Sequence, residues 1–72
     1  MKNKDLSVEI SRRLLEISRQ LDESVAVAQG QCSEEEFNAF RLQIGTLMGG
    51  LYLDILKPLW REHPDLKPPE ME

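Results

Sequence analysis

Few residues in this sequence could carry chemistry, and each has a plainer use beside it. His63 is the single histidine and Cys32 the single cysteine. A zinc-type site needs several His, Cys or carboxylate ligands in a fixed geometry. His63 instead precedes Pro64 at the start of a proline-rich end, where a solvated helix terminus is the simpler reading. Glu34, Glu35 and Glu36 form a carboxylate run, but a helix start attracts glutamate for dipole reasons alone. Gly49-Gly50 is no phosphate cradle, since neither GxxxxGK[ST] nor a GxGxxG after a strand is present. Arg12, Arg13 and Arg19 could meet nucleic-acid phosphates, yet Glu9, Glu16, Asp22 and Glu23 are interleaved with them, which reads as a balanced solvated face. No catalytic residue, metal ligand or cofactor site is therefore assigned, and an enzyme is the weakest reading.

What remains is shape. Ser33–Glu62 holds both Phe, the Tyr, the Trp and three of the four glycines, and it reads as one long helix, bent or straight. Ser33 and Glu36 have the spacing of a capping box, with Cys32 and Phe37 at the two positions of a hydrophobic staple. His63-Pro64 ends it, because a residue before proline avoids the α region. Projection at about 100° per residue places Phe37, Phe40, Ile44, Leu47, Met48, Leu51, Ile55 and Leu59 on one stripe. Tyr52, Leu56 and Trp60 lie beside it, so the apolar sector is far wider than one neighbour requires. Gly45 and Gly49 have the small-xxx-small spacing that allows close helix packing. Gly49-Gly50 and Pro58 are alternatively the places where the helix bends or breaks.

About Asp5 to Ala28 reads as the first helix. Leu6, Ile10, Leu14, Ile17, Leu21, Val25 and Ala28 make a single stripe edged by Ser7, Ser11 and Ser18. Glu9–Arg13, Arg12–Glu16 and Arg19–Glu23 are i,i+4 pairs on the outer surface. Gly30 suits a left-handed helix end, and the short turn makes the helices antiparallel. Residues 63–72 carry three prolines and read as an extended tail that excludes helix and sheet. The expected fold is thus all-α: a hairpin domain over 1–62, with helices at about 5–28 and 33–62, and a tail over 63–72.

Seventy-two residues bound a single domain, and a core of that size is marginal. The net charge of −4 argues against a general nucleic-acid or anionic-membrane role. One cysteine and no signal-like start fit a cytoplasmic protein, and no stretch is apolar enough to span a membrane. An isolated hairpin would expose Tyr52, Leu53, Leu56 and Trp60, so pairing into a homodimeric four-helix bundle is expected. The expected interface is Arg41, Gly45, Gly49, Tyr52, Leu53, Leu56 and Trp60. Arg41 falls within the apolar sector, either snorkelling at a rim or forming a specificity ion pair. The function expected is a small protein–protein interaction module: an adaptor, regulator or accessory subunit, acting on itself or on an unidentified protein. The alternatives are an acidic immunity- or antitoxin-type inhibitor presenting Glu34, Glu35 and Glu36, and a helical dimer binding RNA or DNA through Arg12, Arg13 and Arg19.

Overall fold

The computed structural model describes residues 1–69. Helix α1 spans Lys4–Ala28 and α2 spans Glu34–Gly50. A π-helical turn, Leu51–Leu56, then leads straight into α3, Lys57–Glu62. No strand occurs among the described residues. The architecture is an antiparallel helical hairpin whose second arm is α2, the π-turn and α3 in sequence.

The termini form where the sequence supplies caps. The Asn3 Oδ1 accepts from the Leu6 N–H at 3.0 Å and starts α1. Gly30 takes φ 79°, the left-handed conformation that glycine adopts without steric cost. The Ser33 Oγ accepts from the Glu36 N–H at 3.1 Å, and the Glu36 carboxylate accepts from the Ser33 N–H at 3.3 Å, completing the capping box. Cys32 is exposed, and its thiol donates to the Ala28 carbonyl at 3.7 Å.

Neither the glycine pair nor Pro58 breaks the second arm. Pro58 has no N–H, and its ring crowds the carbonyl four residues back, at Asp54. The π-turn lies directly before it, and the Lys57 N–H donates to the Tyr52 carbonyl, five residues back. A π-turn adds a residue to a helical turn and so rotates everything after it. A straight-helix projection therefore misplaces Ile55, Leu56 and Trp60, although Leu59, expected on the main stripe, is buried. Ile55, expected on the main stripe, is 46% exposed, whereas Leu56 is 2% and Trp60 4% exposed. The exposure expected for Leu56 and Trp60 on an isolated hairpin is overturned, because the rotation carries both onto α1.

The packed core lies at the open end of the hairpin, where Leu56, Leu59 and Trp60 of the second arm and Ser7 and Ser11 of α1 are all buried. The two serines are small enough for the indole to lie against α1. The Trp60 Nε1–H donates to the Ser11 Oγ at 3.0 Å, and the Ser7 Oγ donates to the Asn3 carbonyl at 2.8 Å. Tyr52 meets Trp60 edge-on, with ring centroids 6.0 Å apart, a geometry aromatic pairs favour.

The segment after α3 is not simply extended. Pro64–Leu66 form one 3-10 turn, so the expectation that the prolines exclude helix is corrected there. A proline suits the first position of a helical turn, where its missing N–H costs nothing. Leu66 is half-buried, and Asp65 pairs with Lys4. Glu62 pairs with the N-terminal amino group, and the His63 Nε2 sits 2.9 Å from the Met1 carbonyl. The last part of the expected tail, 70–72, lies outside the described residues.

These pairs give the fold an acid limit. Hydrogen bonding to the N-terminal amino group lowers the Glu62 pKa, and hydrogen bonding to Lys4 lowers that of Asp65. Arg12, then Arg13, lower Glu9, and Arg19, then Gln20, lower Glu16. A carboxylate lowered in the folded state contributes stability above its unfolded pKa and loses it as pH falls through the folded value. The melting temperature is expected to be flat from pH 7 to about 5 and to fall below about pH 4. Asp65→Asn should flatten part of that fall. A melting temperature unchanged down to about pH 3 would show that the pairs contribute nothing.

Candidate interaction surface

The structure divides the expected interface. Leu56 and Trp60 belong to the chain's own core, and Tyr52 is half-buried against Trp60. Arg41, Gly45 and Leu53 are exposed, and Gly49 is half-buried. Arg41 has no carboxylate within ion-pairing distance among the described residues; it lines a shallow groove with Leu42, Gly45 and Thr46.

The glycines do not mediate packing within the chain. A Cβ built at Gly45 or Gly49 meets no atom within 4 Å. Gly45→Ala is therefore expected to raise stability by up to about 1 kcal/mol, through helix propensity alone. Thermal melting checks this. A lower melting temperature would place a partner's backbone against that glycine.

A different surface is left open. Leu47 is 56% and Ile17 48% exposed, and Leu6 and Ile55 are nearly as bare. Leu47, Leu51 and Ile55 line one face with Thr46, Gly50 and Asp54. Handedness joins the two arms. Both helices are right-handed and run antiparallel. With the Trp60–Ser11 contact marking one side of the hairpin, Leu6, Ile10 and Ile17 of α1 come to the opposite side. Phe40, Leu47 and Leu51 come to that same side. The result is a two-helix apolar strip edged by Arg13 beside Ile17 and by Asp54 beside Ile55.

The hairpin's dimensions agree with an unfinished core. Its extents are 45 × 19 × 16 Å and its radius of gyration is 14.5 Å. A compact domain of this length has a radius of about 11 Å. The only fully buried apolar side chains among the described residues are Leu56, Leu59 and Trp60, all at one end. The half of the strip nearer the turn has no such cover.

The charged surfaces singled out in the sequence are largely engaged. Arg12 and Arg13 both bind the Glu9 carboxylate at 2.7 Å, so Arg12 pairs three residues back rather than with Glu16. Arg19 is held between Glu16 and Glu23. Glu36 is committed to the capping box, while Glu34 and Glu35 are exposed. No helix among the described residues is long and apolar enough to cross a membrane. No protein-family model matches the chain, and neither does a curated protein or a solved structure. The surface has to be read from its own geometry.

Proposed function

We propose that this protein is a helical interaction module that pairs first with a second copy of itself, forming a four-helix bundle. The observation that carries the reading is the strip on which Leu6, Ile17, Leu47 and Ile55 are exposed and Ile10 and Leu51 half-buried. A strip of that size on a small monomer marks an interface. A second hairpin is the fitting occupant because it supplies two helices of the same length along the 45 Å axis. A two-fold axis would bury the same strip on both copies. Such a dimer completes the layer that a chain of this size cannot enclose alone. The bundle's outer surfaces would then serve an adaptor, regulator or accessory subunit. The exposed, unpaired Cys32 fits a reducing compartment such as the cytoplasm.

The other readings have less support. A nucleic-acid surface on α1 would need Arg12, Arg13 and Arg19 to leave the carboxylates they already bind. An acidic inhibitor would present only Glu34 and Glu35 free of the helix cap.

Light scattering on a sizing column tests the proposal. The expected mass is twice the 8.3 kDa of the chain, dropping only on strong dilution. A particle of 8.3 kDa at every concentration would overturn pairing with a second copy.

A further inference from the structure

Away from the apolar strip, on the Trp60–Ser11 side of the hairpin, a small hollow opens between α3 and the turn that follows it. It is lined by Tyr52, Lys57, Trp60, Arg61, Pro64 and Lys67, and encloses about 260 Å³. Two features set it apart from the rest of the surface. The first is an aromatic and proline wall, in which Trp60 is fixed by its bond to Ser11 and Tyr52 is fixed edge-on against Trp60. The second is a rim with three cations and, among the described residues, no carboxylate.

The rim is unusual in a chain of net charge −4. Elsewhere Arg12, Arg13 and Arg19 are each bound to glutamates. Lys57, Arg61 and Lys67 have no ion-pair partner among the described residues. Two neighbouring acids are drawn elsewhere, Glu62 to the N-terminal amino group and Asp65 to Lys4, and Asp54 lines a different groove. The Tyr52 hydroxyl likewise makes no hydrogen bond to another described residue. Four donors therefore surround an apolar hollow, and no acceptor among the described residues is bound to them.

We infer that this hollow is a binding site for a small aromatic anion, a flat ring bearing a phosphate or carboxylate. The ring would lie along Tyr52 and Pro64, with the buried Trp60 behind them, and the anionic group would take hydrogen bonds from Lys57, Arg61, Lys67 and the Tyr52 hydroxyl. Charge-assisted bonds of this kind are the stronger class, and Arg61 can grip either group with two N–H bonds. The volume suits a single ring with its substituent and lies at or below the lower end of ligand pockets generally. The inference does not rest on self-association, because the strip and the hollow lie on different sides of the hairpin.

Trp60 is the single tryptophan, so its fluorescence reports on the site directly. Phenyl phosphate and benzoate are the probes, with inorganic phosphate and benzyl alcohol as the two halves of the ligand. Phenyl phosphate or benzoate is expected to give a saturable change, with each half binding at least about tenfold more weakly, a loss of about 1.4 kcal/mol or more. Whichever of the two aryl anions binds more tightly identifies the anionic group. Lys57→Gln with Arg61→Gln, both exposed, should weaken the aryl anion by about tenfold or more while leaving the melting temperature in place. Raised salt should weaken it as well. No saturable change up to about 10 mM of either anion, an equal response to benzyl alcohol, or an unchanged affinity in the double variant would each overturn the site.

Discussion

Trp60→Ala is expected to destabilise the hairpin by about 3–5 kcal/mol, the cost of removing a large buried aromatic and leaving a cavity. A chain of this size has a total stability of only about 4–11 kcal/mol, so much of the population should unfold near body temperature. The loss falls at the one place where the arms are sealed. Leu56 and Leu59 flank Trp60, and Tyr52 loses its edge-on partner. Urea unfolding followed by circular dichroism, at one fixed protein concentration, measures it. Fixed concentration matters because dimerisation adds to apparent stability. Ser11→Ala refines the result. It strands the Trp60 N–H in a buried place, at a cost of about 1–3 kcal/mol. Trp60→Phe combined with Ser11→Ala should cost less than the sum of the two single changes, since neither partner is then left unsatisfied. A loss below about 1 kcal/mol for Trp60→Ala would mean that the open end is not the core.

Local chemistry made the helix ends readable. Ser33 and Glu36, and Gly30 at the turn, are signals that act within four residues: the first two form the capping box and Gly30 takes the left-handed conformation. Ser7 and Ser11 stood out as small edges of an apolar stripe, and α1 does meet the second arm there. What was not legible was the phase of the second arm. Met48, Tyr52, Leu56 and Trp60 recur in unbroken fours. On a helix of 3.6 residues per turn each step drifts by about 40°, which spreads them around the cylinder. A π-turn, whose bonds span five residues, rotates less per residue, so its lag offsets the drift of the α-helical steps and brings the four back toward one face. That spacing, with Pro58 following, was the signal available for the π-turn. The phase shift exchanges the surfaces: Trp60 and Leu56, expected at an interface, lie in the chain's own core, while Ile55, expected on the main apolar stripe, is exposed. The hollow beside α3 was hidden for another reason. Lys57, Arg61 and Lys67 come together only because the 3-10 turn at Pro64–Leu66 folds the chain back.

Ile17→Glu combined with Leu47→Glu is expected to dissociate the proposed dimer, weakening it by at least about a hundredfold, or roughly 3 kcal/mol. Both side chains are about half exposed in the single hairpin, so a glutamate at either place can reach water and the helices should persist. Glutamate is also a good helix former. In the paired state the strip has no such escape. Each substitution occurs twice across a two-fold axis, so four carboxylates would enter an apolar seam where the cations beside Ile17, Arg12 and Arg13, already bind Glu9. Burying charges without partners is far costlier than losing two apolar contacts. Gly49→Leu is the control on the other surface. A leucine there meets nothing within the chain at its Cβ, so it should leave the dimer mass unchanged if the strip is the seam. The reverse pattern, with the dimer weakened by Gly49→Leu and indifferent to the two glutamates, would move the interface to Gly45, Gly49 and Leu53. The apolar strip would then need another protein to cover it, and the bundle would be the platform for that partner rather than the finished assembly.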